Sequence, residues 1–352
     1  MSTTAVSRTS AAEAVSLPLA ERGPVSDAVL LHLAGSDAFD DHTDLASKAV
    51  EATADVFRDD DIALALFALY ASSYGSIEQF SADLEWDPQL LATRRVLEAA
   101  LESALRSAVT VPELPEPTQD AVARALFALT APSPGPSLSR HLAKRATEEQ
   151  AREFLVQRSI YTLREADPHS WAIPRLHGRA QAALVEIQAD EYGGGRPDRM
   201  HAAMFAGTMR AMGLDDSYGA YLDQVPALTL TSHNTMSMFG INRRLVGAIV
   251  GHLAAFEMSS SIPSRHYADG FRRLGHGDEV AGYFDEHVEA DAVHEQIAGR
   301  DLAGALAEDR PELLADIMFG AAACLAVDGW LEQHMMDAWG RGESSLCTGA
   351  RR

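Results

Sequence analysis

Residues 284–294 read Phe-Asp-Glu-His-Val-Glu-Ala-Asp-Ala-Val-His, and this stretch narrows the fold and the chemistry more than any other. His287, Asp291 and His294 recur at positions i, i+4 and i+7, which predicts a helix with all three side chains on one stripe about 60° wide. Leu or Val usually occupies such a stripe, whereas here it carries only groups that can bind a metal. Taken alone, the stretch fits a metal-binding helix and a solvated acidic helix equally well.

A buried carboxylate on a second predicted helix changes that balance. Ala180, Leu184 and Ile187 form one apolar helical face, and Glu191 continues it. The sequence therefore predicts that Glu191 points into the core, whereas its neighbour Asp190 points outward. No Lys or Arg shares this face, and an unpaired buried charge is costly. A metal ion would compensate the charge of Glu191.

Three further residues occupy similarly unusual positions. Glu257 closes a strongly apolar segment at a place where a core residue is expected. His201 shares a helical face with apolar side chains, where a buried structural histidine is the alternative to a metal ligand. Glu165 lies at the end of a helix predicted over residues 147–165, and Arg158 or Arg164 could equally well pair with it.

The whole set makes a stronger case than any of its members. Its four carboxylates and three neutral imidazoles carry four negative charges, which two divalent cations would balance. The predicted ligands are Glu165, Glu191, His201, Glu257, His287, Asp291 and His294. Mixed carboxylate and imidazole ligation suits iron or manganese better than zinc. The Glu-x-x-His pattern of ferritin-like dimetal bundles is absent from this set.

The composition of the chain predicts an all-α protein that binds small molecules. Its 352 residues contain 29 Lys and Arg against 51 Asp and Glu, and the net charge of −22 disfavours nucleic acid and an anionic membrane as partners. Segments of helical periodicity alternate with Pro, Gly and polar caps, and no run has the period of a strand. With two cysteines and no C-x-x-C pair, a reducing, cytoplasmic location is expected.

The sequence divides into four parts. We predict a disordered leader at residues 1–24, an N-terminal helical region at 25–135, a bundle at 136–340 and a flexible tail at 341–352. A loop rich in Pro and Ser marks the boundary between the two helical parts. Within the bundle, one helix is predicted to end near residue 259 and the next to begin at Pro263.

This arrangement resembles that of the haem-oxygenase-like diiron oxidases and oxygenases, also called iron-containing redox enzymes. That family places a Glu on its first core helix, then Glu-x9-His, then a Glu on a middle helix, then His-x3-Asp-x2-His. The matching residues, in order within residues 147–339, are Glu165, then Glu191 and His201, then Glu257, then His287, Asp291 and His294. The resemblance implies a haem-oxygenase-like helical bundle with additional N-terminal helices, two irons and O2 as co-substrate. It implies no haem, because Glu165 stands on the helix where haem oxygenases carry their haem-binding His.

The resemblance also implies a non-haem diiron oxidoreductase that works through a peroxo-diferric intermediate and is a homodimer. Members of the family oxygenate amine nitrogens, desaturate C–H bonds with ring closure or C–C cleavage, or decarboxylate fatty acids. We expect an amino acid or amino-acid-derived amine as substrate, with N-oxygenation and desaturation equally compatible with the sequence, and an external electron donor. Arg158 and Tyr161, which precede Glu165 on the same helical face, are the predicted substrate-binding residues. The alternatives are a fatty-acid-type oxidative decarboxylase and a non-catalytic helical metal-binding protein.

Overall fold

The protein is built from α-helices. The computed structural model describes residues 19–36, 41–132 and 135–347, without the side chains of residues 289, 291 and 292. Within these ranges every regular element is helical and no strand occurs, which confirms the predicted all-α class. Residues 1–18 of the predicted leader and 348–352 of the predicted tail lie outside the described residues.

The described residues form a succession of α-helices joined by short connections. They are α1 (Pro24–Leu33), α2 (His42–Ala52), α3 (Asp60–Tyr74), α4 (Pro88–Ala108), α5 (Gln119–Leu129), α6 (Leu138–Lys144), α7 (Glu148–Thr162), α8 (Asp167–Ser170), α9 (Gly178–Glu191), α10 (His201–Ala211), α11 (Ala227–Ile241), α12 (Val246–Leu274), α13 (Asp278–Gln296), α14 (Ala305–Asp309) and α15 (Leu314–Gly340). A π-helix at Ile297–Gly304 joins α13 to α14, and short 3-10 turns lie in several of the connections.

Polar N-caps start several helices where the sequence predicts them. The Asp87 side chain accepts hydrogen bonds from the backbone N–H groups of Gln89 and Leu90, and Pro88 occupies the first position of α4, where no N–H is needed. Asp59 caps α3 in the same way. Local sequence therefore determines where these two helices begin.

Helices α12 and α15 pack backbone against backbone in the core. A Cβ atom added at Gly251 would overlap the carbonyl oxygen of Ile317, and one added at Gly320 would overlap that of Ala248. Glycine is required at both positions because no larger residue permits such a close approach. This contact holds the first half of α12 directly against α15.

The same two helices are long and apolar enough to cross a membrane, judged by length and composition alone. Apolar windows in Arg243–Leu274 and Pro311–Gly340 have mean hydropathies of 1.4 and 1.5. However, 72% and 61% of these windows are buried inside the fold. Core helices of a helical bundle show the same combination, so apolar length here is explained by packing within the protein.

A single helix, α12, replaces the two helices that are predicted on either side of Pro263. It continues from Val246 to Leu274 with Pro263 inside it. Proline removes one backbone hydrogen bond and crowds the carbonyl of Ser259, four residues earlier. Packing of α12 against α6, α13 and α15 outweighs this local cost. The predicted break is therefore wrong, because tertiary contacts decide the structure at this proline.

The N-terminal helices share one hydrophobic core with the bundle. Buried side chains of α3 lie in the same cluster as those of α11, α12 and α15. The Tyr74 hydroxyl donates a hydrogen bond to the Ser237 hydroxyl of α11 at 3.2 Å, and the Asn234 amide donates to the carbonyl of Ala63 at 2.8 Å. Helix α3 thus packs directly on α11, while the division into two helical domains stays a prediction.

Residues near the start of the first described range and near the end of the last one are tied to the fold by hydrogen bonds. Near the N-terminus, the Arg22 guanidinium donates to two backbone carbonyls of the connection before α11. Near the C-terminus, the N–H and the hydroxyl of Ser345 donate to the Glu153 carboxylate at 2.8 and 2.7 Å. In the described parts of the predicted leader and tail, residues 19–24 and 341–347, polar groups thus find partners elsewhere in the fold, while the disordered leader and flexible tail stay predictions.

Candidate metal centre

The first of two clusters of ligand-type side chains, called group A, consists of Glu165, His201 and His287. Their ligand atoms lie within 4.8 Å of one another. Glu165 Oε1 is 3.5 Å from His201 Nδ1 and 3.7 Å from His287 Nε2. Nitrogen and oxygen ligands lie about 2.0–2.2 Å from a metal ion, so ligands of one ion are separated by about 3–4 Å. Group A has the spacing of three ligands around one ion.

Separate segments of the chain supply group A. His201 opens α10 and His287 lies on α13. Glu165 follows α7, which ends at Thr162, and lies in the turn before α8. The prediction that Glu165 ends its helix is therefore wrong by about one turn. Backbone hydrogen bonds tighten there to the i+3 spacing that is common where helices end, with the Arg164 N–H donating to the Tyr161 carbonyl.

The second cluster, called group B, consists of Glu191, Glu257 and His294, which are all buried. Glu191 ends α9, Glu257 lies within α12, and His294 lies two turns after His287 on α13. His294 Nδ1 is 3.2 Å from Glu257 Oε2. The three ligand atoms lie within 4.8 Å of one another, as in group A.

Groups A and B adjoin each other at Glu191. Its Oε2 atom lies 3.0 Å from His201 Nδ1, across the boundary between the groups. The His201 and His287 rings lie side by side, with their centroids 4.4 Å apart. The Glu191 carboxylate, which belongs to group B, thus also contacts group A.

A turn of three glycines connects Glu191 to His201. Gly193, Gly194 and Gly195 all have positive φ, between 58° and 80°, a conformation that residues with a Cβ rarely adopt. A Cβ at Gly193 would lie only 2.6 Å from the backbone nitrogen of Met200. The turn therefore needs glycine, and it brings the end of α9 close to the start of α10.

The structure brings six of the seven predicted ligands together. The seventh, Asp291, lies on α13 between His287 and His294 in sequence, and its side chain lies outside the described residues. The role of these residues as metal ligands stays a prediction. Their convergence from α9, α10, α12, α13 and the turn after α7 is a property of the fold.

Burial and mutual charge shift the pKa values in both groups. Burial opposes ionisation of Glu165, but the neighbouring histidines outweigh it and lower the pKa of Glu165 to about 2. Burial also opposes a charge on His201 and His294, yet the nearby carboxylates raise their pKa values to about 11 and about 9. Burial raises the pKa of Glu191. Without a metal, both of these histidines therefore carry a proton at neutral pH.

Two buried atoms of group A indicate whether a metal fits the site. Glu165 Oε1 and His201 Nδ1 have no correctly aligned hydrogen-bond partner in the described part of the chain, although charged groups surround them. Leaving such an atom unpaired costs about 1–3 kcal/mol. A cation bound between them would satisfy both atoms, and a set of carboxylate and imidazole donors suits iron or manganese. The residues present fit a metal of this kind.

Sequence reasoning missed two residues that contact the ligands. The Tyr283 hydroxyl donates to Glu165 Oε2 at 2.8 Å, and the Tyr283 carbonyl accepts from His287 Nδ1 at 2.9 Å, which leaves His287 Nε2 facing Glu165. Asp190 is mostly exposed, as predicted, but its carboxylate lies 3.1 Å from His294 Nε2. Tyr283 precedes His287 by one helical turn, and this spacing is the signal that could have identified it.

A cavity of about 60 Å³ adjoins both groups. Its walls include Glu165, Glu191, Glu257 and His287, together with Arg158 and Tyr161. The Tyr161 ring stacks on Phe256 with a centroid distance of 5.1 Å, and the Arg158 guanidinium lies 5.6 and 5.7 Å from the Phe154 and Tyr267 ring centroids. Both predicted substrate-binding residues thus line a cavity that reaches the metal-ligand candidates.

The sequence is similar to those of known iron enzymes. A family model described as iron-containing redox enzyme matches residues 152–329, just over half of the chain. Nitrosourea synthase from Streptomyces achromogenes subsp. streptozoticus is 32% identical over 162 residues, which are 46% of this chain and 34% of that protein. The match therefore spans about a third of the length of this relative.

A solved structure has a similar fold. A CADD-like protein of unknown function from Nostoc punctiforme superposes with a TM-score of 0.50 and 16% identity, covering 62% of this chain and 97% of that chain. At this identity the likeness concerns the fold alone, and it confirms the predicted helical bundle. Since the family model covers both groups of ligand-type residues and more than half of the chain, the protein is an oxidoreductase that belongs to the family of iron-containing redox enzymes.

Proposed function

We propose that this enzyme is a non-haem diiron oxygenase or oxidase that uses O2. The contact between group A and group B at Glu191 carries the proposal, because it sets two three-ligand clusters side by side. Group A would hold one iron and group B the other, with Asp291 as a seventh ligand. Two ferrous ions would supply electrons for the reduction of O2. No haem is included, because the donor set is rich in carboxylates and suits two small cations.

The protein's own groups would keep this site dry and its ligands oriented. Glu165, Glu257 and His201 are buried, so bulk water is excluded from them. Tyr283 occupies one oxygen of Glu165 with a hydrogen bond, and the other oxygen remains available to a metal. Asp190 and Glu257 contact opposite nitrogens of the His294 ring, so one nitrogen keeps a hydrogen-bond partner when the other binds iron.

We propose an amino acid as substrate and oxygenation of one of its side-chain nitrogens as the reaction. The name of the similar enzyme, nitrosourea synthase, denotes a product that carries an oxidised nitrogen, which supports this choice. In N-hydroxylation, one atom of O2 enters an N–H bond and the other leaves as water, while an external donor supplies two electrons and two protons. Desaturation of a C–C bond, in which both oxygen atoms leave as water with the same external supply, is the second candidate.

Arg158 is the proposed partner of the substrate carboxylate. Its guanidinium lines the cavity beside the ligands, and no carboxylate lies within ion-pair distance of it among the described residues. A guanidinium can bind a carboxylate through two parallel hydrogen bonds. The net charge of −22 slows the approach of simple anions such as fatty acids, whereas a zwitterion is little affected.

An anaerobic titration followed by exposure to O2 tests the proposal. The metal-free protein is titrated with Fe(II), and bound iron is counted after desalting. O2 is then added with a panel of amino acids, and products are identified by mass spectrometry. We expect two irons per chain and one amino acid that gains an oxygen atom or loses two hydrogens. Absence of bound iron, or turnover of dodecanoate with no response to any amino acid, would overturn the proposal.

A further inference from the structure

A second cavity, of about 50 Å³, lies next to the one beside the metal-ligand groups. Arg158, Tyr161 and Phe256 line both cavities, so the two spaces meet at these side chains. The second cavity also carries Asp328 and Glu332, which lie one turn apart on α15. Arg158 therefore has the metal-ligand candidates on one side and two carboxylates on the other.

These two carboxylates are unusual for a helix that is otherwise apolar. Asp328 accepts a hydrogen bond from the Ser232 hydroxyl at 2.8 Å. Neither Asp328 nor Glu332 has a Lys or Arg within ion-pair distance in the part of the chain that the structure describes. Burial raises the pKa of both groups, so enclosing them here is unfavourable. The Ser232 hydroxyl and the charge of Arg158 compensate these carboxylates only in part, which points to a ligand.

Arg158, in turn, is a positive charge that forms no ion pair among the described residues. Its guanidinium lies over the aromatic rings of Phe154 and Tyr267 rather than against a carboxylate. Arg158 lines the same cavity as Asp328 and Glu332, and no ion pair joins it to either of them in the described part of the chain. A group that carries both a negative and a positive charge would find a partner for each charge in the lining of this cavity.

We propose that Asp328 and Glu332 bind the α-ammonium group of the substrate, so that the enzyme takes a free α-amino acid with its carboxylate on Arg158. A free amino acid carries an ammonium group and a carboxylate group on the same carbon atom, so it could pair with both sides of the cavity at once. Its side chain then extends past Tyr161 and Phe256 toward groups A and B. The placement of the substrate side chain toward groups A and B rests on the proposed function. The pairing of the ammonium with Asp328 and Glu332, and of the carboxylate with Arg158, does not.

A surface groove supplies a route to this head-group site. Glu332 lines both the second cavity and a groove of about 300 Å³, whose wall also contains Arg140, His266 and Glu295. A zwitterion that enters by this groove meets Glu332 before it meets Arg158. Fatty acids have no group for Asp328 or Glu332, so the site selects against them.

Anaerobic calorimetry with the iron-loaded enzyme tests the inference. The twenty standard L-amino acids are screened first. The strongest binder is then compared with the α-hydroxy acid of the same side chain, which has nearly the same shape but no ammonium. We expect the hydroxy acid to bind about tenfold more weakly or worse, because it loses charge-assisted hydrogen bonds.

Variants of Asp328 and Glu332 test whether these two carboxylates cause the preference for the amino acid over its hydroxy acid. In the double variant Asp328→Asn, Glu332→Gln, we expect the amino acid to bind about tenfold more weakly and no better than its hydroxy acid. Asp337→Asn, at an exposed position on the same helix, should behave as wild type. If circular dichroism shows that the double variant is unfolded, Glu332→Gln alone carries the test with the same expected direction.

Three results would overturn the inference: no amino acid binds, the hydroxy acid binds as well as the amino acid, or the variants discriminate as wild type does. Iron content is measured in every sample to keep the two proposals apart. Normal iron content without discrimination rejects the ammonium site alone. A chain that binds no iron but discriminates through Asp328 and Glu332 rejects the diiron centre alone.

Discussion

The two halves of α12 differ in what they contact. The first half, residues 246–255, is apolar apart from His252 and meets the backbone of α15 at Gly251. The second half, residues 257–274, begins with Glu257 of group B and lines the ligand cavity with Ser260 and Ser264. One continuous helix therefore joins the tightest packing in the core to a polar site.

The contrast between the two halves of α12 shows how a helical bundle can contain a polar site whose burial is unfavourable. Close apolar packing stabilises the native state, whereas burial of carboxylates and imidazoles opposes it unless protons or a cation compensate their charge. We therefore expect changes in the first half to alter the free energy of unfolding. Changes in or beside the second half should alter binding of iron and substrate instead.

The strongest test of the first half is Gly251→Ala. The added methyl group would overlap the carbonyl of Ile317, so α12 and α15 must separate, and we expect the free energy of unfolding to fall by about 3 kcal/mol. Urea denaturation followed by circular dichroism measures this. Gly329→Ala on α15, where a Cβ meets nothing within 4 Å, is the control and should be neutral or stabilising. Equal losses in both variants would contradict the contact.

The matching test of the second half is Glu257→Ala, with Glu191→Ala beside it. Each removes a carboxylate from group B, so we expect iron to bind about 100-fold more weakly. Glu191→Ala should have the larger effect, because this carboxylate touches both groups. Asp269→Ala, an exposed position on α12, should retain full iron content. Unchanged iron in all three variants would reject the metal centre.

The pH dependence of iron binding gives a further test of groups A and B. His201 and His294 have pKa values raised to about 11 and about 9, so both carry a proton at pH 7 in the metal-free protein. Iron binds neutral imidazole, so each binding event must displace a proton. We expect about two protons released per chain at pH 7, and affinity that falls by up to about tenfold per proton for each pH unit lowered. Calorimetry in buffers of different ionisation enthalpy counts these protons, and none released would contradict the pKa directions.

The same shifts predict how the stability of the metal-free protein changes with pH. A histidine whose pKa is raised by folding stabilises the native state fully below its unfolded pKa, near 6.5. This contribution is lost as the pH rises through about 9 for His294 and about 11 for His201. Iron should therefore stabilise the protein most at alkaline pH. A denaturation series between pH 6 and 10, with and without Fe(II), checks this direction.

The smallest expected effect separates substrate binding from iron binding. Arg158→Ala should weaken amino-acid binding by about tenfold and leave the iron content unchanged, since Arg158 lines the cavity but belongs to neither group. Arg265→Ala, on an exposed position in the second half of α12, is the matched control. Loss of iron in Arg158→Ala would show instead that this arginine supports the metal site.

Sequence alone predicted features whose cause is local. The bounds of α3, Asp60–Tyr74, and the start of α4 follow from caps and apolar periodicity within one segment. The ligand candidates emerged because carboxylates and histidines stood at helix positions that normally face a core. Their spacing within one helix or across one turn, as in Glu191 and His201, is readable from the chain.

Features that depend on distant segments could not be predicted in this way. Helix α12 passes through Pro263 because of its packing partners, and no local signal reports that packing. Asp328 on α15 comes near Arg158 on α7 only through the fold. The sequence nevertheless shows Asp328 and Glu332 as an acidic pair at i and i+4 in an apolar helix, a pattern that could have indicated a polar site.

The three-glycine turn between α9 and α10 also bears on how much genetic variation this enzyme tolerates. All three residues have positive φ, and the turn joins Glu191 to His201, so any side chain added there shifts one residue of each metal-ligand group at once. Most codon changes in a protein harm only their own neighbourhood. In a saturation library, residues 193–195 should be as depleted as the metal-ligand candidates, although none of the three carries a functional group.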